Sequence, residues 1–506
     1  MTTPDLRALL RSPEQVPSPT ATSAAGIPAT PTTSTAAAAA VPTTGVPEAV
    51  APAPADVPTA APAPAAPAET PTGTTSVPAA PPADLSGLAT TAPGAFSPEA
   101  ARKDVPILHR TVNGHPLVWL DNGATTQKPR QVIEAVSAYY SAANSNIHRG
   151  AHTMAREATE LYEAGRNAVA QFLGAPSPDT IMFVRGTTEA INLVAQSWGR
   201  AHLGPGDDIL VPVLEHHSDI VPWQLIAEET RARVVPVPLT PDGEIDQAAY
   251  ADLLSARTQM VVVSQASNVL GTVPPVREMT ALAHRYGAKV LVDGAQAVAH
   301  MPVDVTELGA DFYAFSGHKL FAPTGIGALY ATPEAMAEMR PWQGGGNMIE
   351  SVSFERTTFA AMPHMMEAGT GHISGVVGLL AAIDWLRGFD QNAVAAYEQQ
   401  LMTYAMQAMA TVPGLEVIGS AAERIAVLTF TMAGHDPASI ADWLDRDGIA
   451  VRAGHHCAQP ALAHYGLESA ARASFALYNT SDEVDQLVAS LRRLGQSGQG
   501  APAQQA

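Results

Sequence analysis

Cysteine is nearly absent: Cys457 is the only one in 506 residues. That excludes an intrachain disulfide, a cysteine-rich zinc site and a protein-held iron–sulfur cluster. Positive charge is scarce as well, with 28 Lys and Arg against 48 Asp and Glu. The formal net charge of −20 repels nucleic acid and anionic lipid, so neither is an expected partner. No run approaches the roughly 20 apolar residues that cross a bilayer, and a soluble protein is expected. Met1 to Leu10 lacks a basic stretch followed by an apolar core, so no secretory signal is expected and the cytoplasm is the expected location.

Aromatic and basic groups are missing most completely from residues 1–98, where Phe96, Arg7 and Arg11 are the only ones. The same stretch holds 20 of the 42 prolines, and from Val16 to Ala95 it is built of Ala, Pro, Thr, Ser and Val. Such a composition cannot bury a core, and its expected state is an extended, partly polyproline II chain. Within it, Thr3 can cap a short helix, Pro4 suits the first turn, and Leu6, Leu9 and Leu10 fall at helical spacing. Residues 495–506 are polar and Gly/Gln-rich and are expected to fray.

The remaining 408 residues suffice for two domains. Strand-like and helix-like segments alternate from Asp104 onward, the pattern of a parallel sheet with crossover helices. Strands are expected at Thr180–Val184, Asp208–Val213, Arg233–Val237, Met260–Ser264, Lys289–Val292 and Phe312–Phe315, with helices at Thr187–Trp198, Val221–Thr230 and Arg277–Tyr286. A long helix at Ala393–Ala410 then leads into a second αβ region with strands at Ile425–Thr431, Ala450–Arg452 and Ala473–Leu477. The expected division is a tail (1–98), an arm (99–118) associated with the small domain, a large domain (119–384), a small C-terminal domain (385–494) and a second tail (495–506).

Ligands of parallel α/β sheets sit beyond the carboxyl ends of the strands, and two such ends carry chemistry here. Lys289-Val-Leu-Val-Asp293 finishes in a carboxylate that could pair with a protonated ring nitrogen. Asp311-Phe-Tyr-Ala-Phe-Ser316-Gly-His318-Lys319 empties into a hydroxyl, an imidazole and an amine. A partly desolvated amine can lose its proton and form a Schiff base, and together the two ends read as pyridoxal phosphate chemistry. Taken singly, a strand-end Asp caps a helix and a lone Lys faces solvent. Arg185-Gly-Thr187-Thr188 after a strand offers a helix amino terminus to phosphate, or a plain N-cap. Glu215-His216-His217 could supply a flat partner for a cofactor ring; adjacent residues diverge and no third ligand is spaced for a metal, so no metal is expected. In Arg452-Ala-Gly-His455-His456-Cys457 the thiol lies beside glycine and two imidazoles that favour its thiolate, and Arg472 could hold a substrate carboxylate.

Gly186-Thr-Thr-Glu, Glu215-His-His, Ser267-Asn268-Val-Leu-Gly271, Asp293-Gly-Ala-Gln296, Ser316-Gly-His-Lys319 and Arg452-Ala-Gly-His-His-Cys457 stand in the order and spacing of SufS-type (group II) cysteine desulfurases, which the chain resembles from about Val105 to Gly495. The resemblance implies a fold-type I pyridoxal phosphate-dependent transferase, with a mostly parallel seven-stranded sheet in the large domain, a small α/β C-terminal domain, and a homodimer. It implies that Lys319 carries the cofactor, Asp293 pairs with the pyridine nitrogen, His216 stacks on the ring and Gln296 bonds the phenolic oxygen. Thr187, Thr188, Ser316 and His318 then hold phosphate, with Thr370 reaching it from the other subunit. Arg472, Asn268 and Arg452 bind the L-cysteine substrate, His148 lies near the mouth, and Cys457 attacks the substrate sulfur. The implied product is L-alanine, with a persulfide on Cys457 for a SufE-like or other thiol acceptor and iron–sulfur cluster assembly or other sulfur metabolism beyond it. The chain departs from the family pattern at Gly371-His372, where Pro-Asn is usual, and at Gly123, where alanine is. A selenocysteine lyase or other pyridoxal phosphate lyase is the alternative on the same fold. The tail resembles those of desulfurases carried as cargo by family 2 encapsulin shells, which implies docking through residues 1–98 and a place inside a protein nanocompartment. In the extreme form of that reading the chain is mainly a tethered component and catalysis is secondary.

Overall fold

The computed structural model describes residues 96–497; the expected Pro4–Leu10 helix and nearly all of both tails lie outside the described residues. The chain packs from Phe96 onward. Its ring sits 5.5 Å from that of Phe389 and 5.4 Å from that of Tyr397, and Ser97 caps a helix over Pro98–Lys103. Residues 96–98, which the expected division counts with the tail, are packed here, because Phe96, the one aromatic of that stretch, finds an aromatic pocket.

Seven strands form the main sheet: β1 (Ile181–Val184), β2 (Asp208–Pro212), β3 (Arg233–Val237), β4 (Thr258–Ser264), β5 (Lys289–Asp293), β6 (Phe312–Ser316) and β7 (Gly327–Ala331). Their order is β1-β7-β6-β5-β4-β2-β3, and only β7 runs antiparallel to its neighbours. The apolar runs reflect burial on both faces. Along β4, Met260 and Val262 enter the core on one side and Val261 and Val263 the core on the other. Trp198, Trp223 and Ile226 pack on the first face; Leu161, Val376 and Leu379 belong to the core of the second. β7 was not among the expected strands because Gly-Ala-Leu-Tyr-Ala is short and rich in residues of low β propensity. The helix expected over Thr187–Trp198 is α-helical to Val194 and widens into a π turn at Ala195–Gly199.

After the helix Gln391–Met409, capped by Asp390, a second, antiparallel sheet is built from β8 (Leu415–Val417), β9 (Val427–Met432), β10 (Arg452–Gly454) and β11 (Ala470–Ser474), in the order β8-β9-β11-β10. The strand expected at Ala473–Leu477 starts three residues earlier. Phe475 still donates its N–H to the Ala426 carbonyl at 2.9 Å, but the fully buried Ala476 to Tyr478 leave the ladder, because Asn479 Oδ1 accepts the N–H of Ala476 and turns the chain. The expected Ala450–Arg452 strand is split: Ile449–Ala450 pairs in parallel with Val118–Trp119, and Arg452 begins β10 against Arg472 of β11. No helix among the described residues is long and apolar enough to cross a membrane.

Candidate active site

The carboxyl ends of β1, β2, β4, β5 and β6 open on one edge of the main sheet, and β10, β11 and the loop between them face them across a cavity of about 250 Å³. Thr187, Thr188, His216, Asn268, Asp293 and Gln296 line it. So do Ser316, His318, Lys319, Arg452, Cys457 and Arg472.

One end of the cavity is a hydroxyl-lined helix start. The Thr187 N–H donates to Ser316 Oγ at 2.8 Å, the two hydroxyls of that pair lie 2.9 Å apart, and Thr188 Oγ1 lies 2.7 Å from Ser218 Oγ. The first-turn N–H groups of the helix Thr187–Val194 make this the electropositive end, suited to a phosphate. His318 beside it is pushed down to about 4 by burial and by the Lys319 amine.

Asp293 ends β5 buried, accepting the Ala295 N–H at 2.7 Å. Gly294 follows it because nothing larger fits: a Cβ there would lie 2.0 Å from the hydroxyl of Tyr313, which donates to Gln265 Oε1 at 2.6 Å. Gln296 Nε2 donates to the Gly123 carbonyl at 2.8 Å. Lys319 closes the 3-10 turn Gly317–Lys319, and desolvation lowers its pKa from the ordinary lysine value, opposed by the attraction of Asp293. A neutral amine is the nucleophilic form. Burial and Lys319 hold His216 down at about 3, so its ring is neutral, and its Nδ1 accepts the Ser218 N–H at 3.0 Å.

On the facing side, Arg472 is buried, donating from Nη1 to the Asn268 carbonyl at 2.8 Å and from Nη2 to Asp121 Oδ1 at 3.1 Å. Its Nε has no partner among the described residues. Asp121 also pairs with the half-exposed Arg452 at 3.0 Å. Asn268 Nδ2 donates to the His456 carbonyl at 2.6 Å. His456 and Cys457 both hold left-handed backbone, with φ of 52° and 56°, a strained pair of a kind that clusters at functional sites. The Cys457 carbonyl accepts the His217 N–H at 2.8 Å, and the ligating atoms of His217, His455 and Cys457 all lie within 4.8 Å of one another. Both imidazoles already accept a backbone N–H, His455 that of Cys457 at 3.0 Å and His217 that of Gln459 at 3.3 Å.

Two expected site residues lie elsewhere. His148, implied near the mouth, does not line the cavity: its Nε2 meets Glu163 at 2.9 Å and its ring packs edge-on against Tyr162 and His364. Thr370 lines a separate cavity of about 210 Å³ with Asn146 and Arg149. Conversely, Asp121, Asp219 and Ser218 belong to the site's polar framework without having been singled out. Asp121 follows a two-residue strand and no motif marks it, whereas Ser218 and Asp219 continue the Glu215-His-His motif and were within reach of it.

A helix start ringed by hydroxyls, an amine of lowered basicity, a buried carboxylate and a neutral flat imidazole stand around one cavity of an α/β fold, and the donor set fits pyridoxal phosphate group by group. The chain belongs to the class-V aminotransferase family, whose model matches residues 118–487. It is 53% identical over 403 residues to a probable cysteine desulfurase of Mycolicibacterium paratuberculosis, a match covering 80% of this chain and 59% of that protein. It is 48% identical over 400 residues to the cysteine desulfurase of Klebsiella pneumoniae, covering 79% of this chain and 98% of the relative. The chain thus spans about three fifths of the first relative and nearly all of the second. Among solved structures, the cysteine desulfurase CsdA from Escherichia coli superimposes with a TM-score of 0.75 at 42% identity, covering 79% of this chain and 99% of that one.

Proposed function

We propose that the chain is a pyridoxal phosphate-dependent cysteine desulfurase that converts L-cysteine to L-alanine and keeps the sulfur as a persulfide on Cys457. The observation that carries this reading is that the one thiol of the sequence opens on the same cavity as the Lys319 amine and the Arg472 guanidinium. Lys319 Nζ would hold the cofactor covalently, with Thr187, Thr188, Ser316 and His318 around its phosphate. Asp293 would face its ring nitrogen, Gln296 its phenolic oxygen and His216 its ring face. When bound, the cofactor supplies an electron sink for the bonds at the substrate Cα. Arg472, steadied by Asp121 and Asn268, orients the substrate carboxylate, and Arg452 adds positive charge at the entrance. Lys319 Nζ moves protons at the substrate Cα. The Cys457 thiolate attacks the substrate sulfur: the S–S bond forms, the C–S bond breaks, and its electron pair stays on the β-carbon, which is protonated to give alanine.

The finer parts of this reading are a homodimer in which Thr370 serves the partner's site, a SufE-like acceptor for the sulfur, and the division into a large domain (119–384) and a small one (385–494). The composition of residues 1–95 supports a tether: at about 5 to 6 Å times the square root of length, some 80 such residues reach roughly 50 Å. Docking to an encapsulin shell through that tether is the partner proposed for it. Removal of residues 1–95 is expected to leave a folded, active enzyme outside the shell; co-purification of the truncated chain with the shell would contradict the tether. The catalytic reading is tested with Cys457→Ala, which should bind cofactor and L-cysteine yet carry no protein persulfide. Full desulfuration by that variant, with free sulfide as product, would favour an eliminating lyase instead.

A further inference from the structure

Asp219 ends the 3-10 turn that follows His216, and its side chain is fully buried. Neither of its carboxyl oxygens has a donor among the described residues. An ionised carboxylate so placed costs several kcal/mol unless something compensates it. Its side chain instead meets another acid, Asp293 of β5, and the fully buried Glu215 of the preceding turn adds a third carboxyl beside the pair. The Lys319 amine faces them, and the Tyr313 hydroxyl faces Asp293 from β6.

The three acids are unequally provided. Glu215 accepts the Ser264 N–H at 3.0 Å and the Ser264 hydroxyl; Asp293 accepts the Ala295 N–H at 2.7 Å and lies closest to the influence of Lys319; Asp219 accepts nothing. Two carboxyls in contact away from water cannot both be charged, and the proton resides where the anion is least stabilised. Burial and the two neighbouring acids push Asp219 well above the usual carboxylate range.

We propose that Asp219 is a positioning residue: it stays protonated and donates its O–H to Asp293, holding that carboxylate charged and oriented toward the cofactor's ring nitrogen. The proposal rests on the pyridoxal phosphate reading for its consequence, but the proton itself is a property of the chain alone. A protonated buried acid and an ionised one absorb at different infrared frequencies, so the difference spectrum of wild type minus Asp219→Asn reads the proton directly, with or without cofactor. The amide of Asn keeps a donor toward Asp293, whereas Asp219→Leu removes it at similar volume.

The expected result is a protonated-carboxyl band in wild type that disappears in Asp219→Asn, with cofactor retention and the visible cofactor spectrum of Asp219→Asn near wild type. Asp219→Leu should lose cofactor affinity by roughly tenfold to a hundredfold, the worth of one hydrogen bond to a charged group. Absence of the protonated band would overturn the proposal even if Asp219→Leu fails to fold. So would an Asp219→Leu protein that retains cofactor as wild type does, or an Asp219→Asn protein as impaired as Asp219→Leu. Wild type that binds no cofactor at all would instead defeat the functional reading and leave the infrared result standing.

Discussion

Asp121 holds two guanidinium groups at once, Arg472 at 3.1 Å and Arg452 at 3.0 Å, and it is the counter-charge that lets Arg472 be buried. Removing one partner of a buried ion pair strands the other, so Asp121→Ala is expected to destabilise the fold by about 3 kcal/mol and to raise KM for L-cysteine more than it lowers kcat. Chemical denaturation and steady-state kinetics check both; an unchanged KM would mean that Arg472 is not held by Asp121 for substrate. Lys319→Ala is expected to abolish both the visible band of the covalently held cofactor and turnover, and alanine formation by that variant would remove Lys319 from its role. The residues legible in the sequence were those whose chemistry is concentrated in short strand-end motifs, such as Asp293 and Ser316 to Lys319. Asp121 was not legible, because its meaning comes from β11, some 350 residues away, and a lone Asp after a short strand looks like any cap.

The elements are coupled where strand ends are crowded. Ser316 at the end of β6 takes the first N–H of the helix Thr187–Val194 and so ties the phosphate-side helix to the strand that leads to Lys319. Gly294 sits where β5 and β6 leave no room, with Tyr313 filling the space a Cβ would need. Gly294→Ala is therefore expected to push Tyr313 off Gln265, to cost roughly 1 to 3 kcal/mol as overpacking does, and to lower cofactor occupancy by moving Asp293. A thermal melt together with the visible absorbance of the purified protein checks this, and wild-type values in both would show that the strand end has slack. The parallel strands were readable because β-branched runs buried on both faces leave little ambiguity. β7, β10 and β11 were missed or shifted because Gly, Ala, Arg and Ser carry no strand signature of their own; pairing across the sheet makes them strands.

For the molecule as a whole, buried histidines set a direction of acid sensitivity. Burial and the nearby Arg472 hold His456 at about 3, whereas the unfolded chain takes a proton near 6.5. Its contribution is thus present above 6.5 and is lost as pH falls from there toward 3. Glu215, pushed up to about 8 by burial, runs the other way and loses its contribution as pH rises through 8. His456→Gln isolates one term: between pH 6 and 4 the wild type should lose up to about 1.4 kcal/mol per pH unit more than the variant. Parallel melting curves over that range would contradict the assignment. Charge and composition at this scale were legible from the start, including the acidic surface and the proline-rich first segment, but which acids and imidazoles would be forced neutral was set by packing between the two sheets. Cys457 is proposed to receive the substrate sulfur at the cavity it shares with Lys319 and Arg472. The most direct measurement is peptide mass spectrometry of the holoenzyme after exposure to L-cysteine without reductant, alongside quantified alanine. One added sulfur is expected on the peptide containing Cys457, in step with the first equivalent of alanine; alanine or pyruvate released with an unmodified Cys457 peptide would rule out sulfur transfer to this thiol.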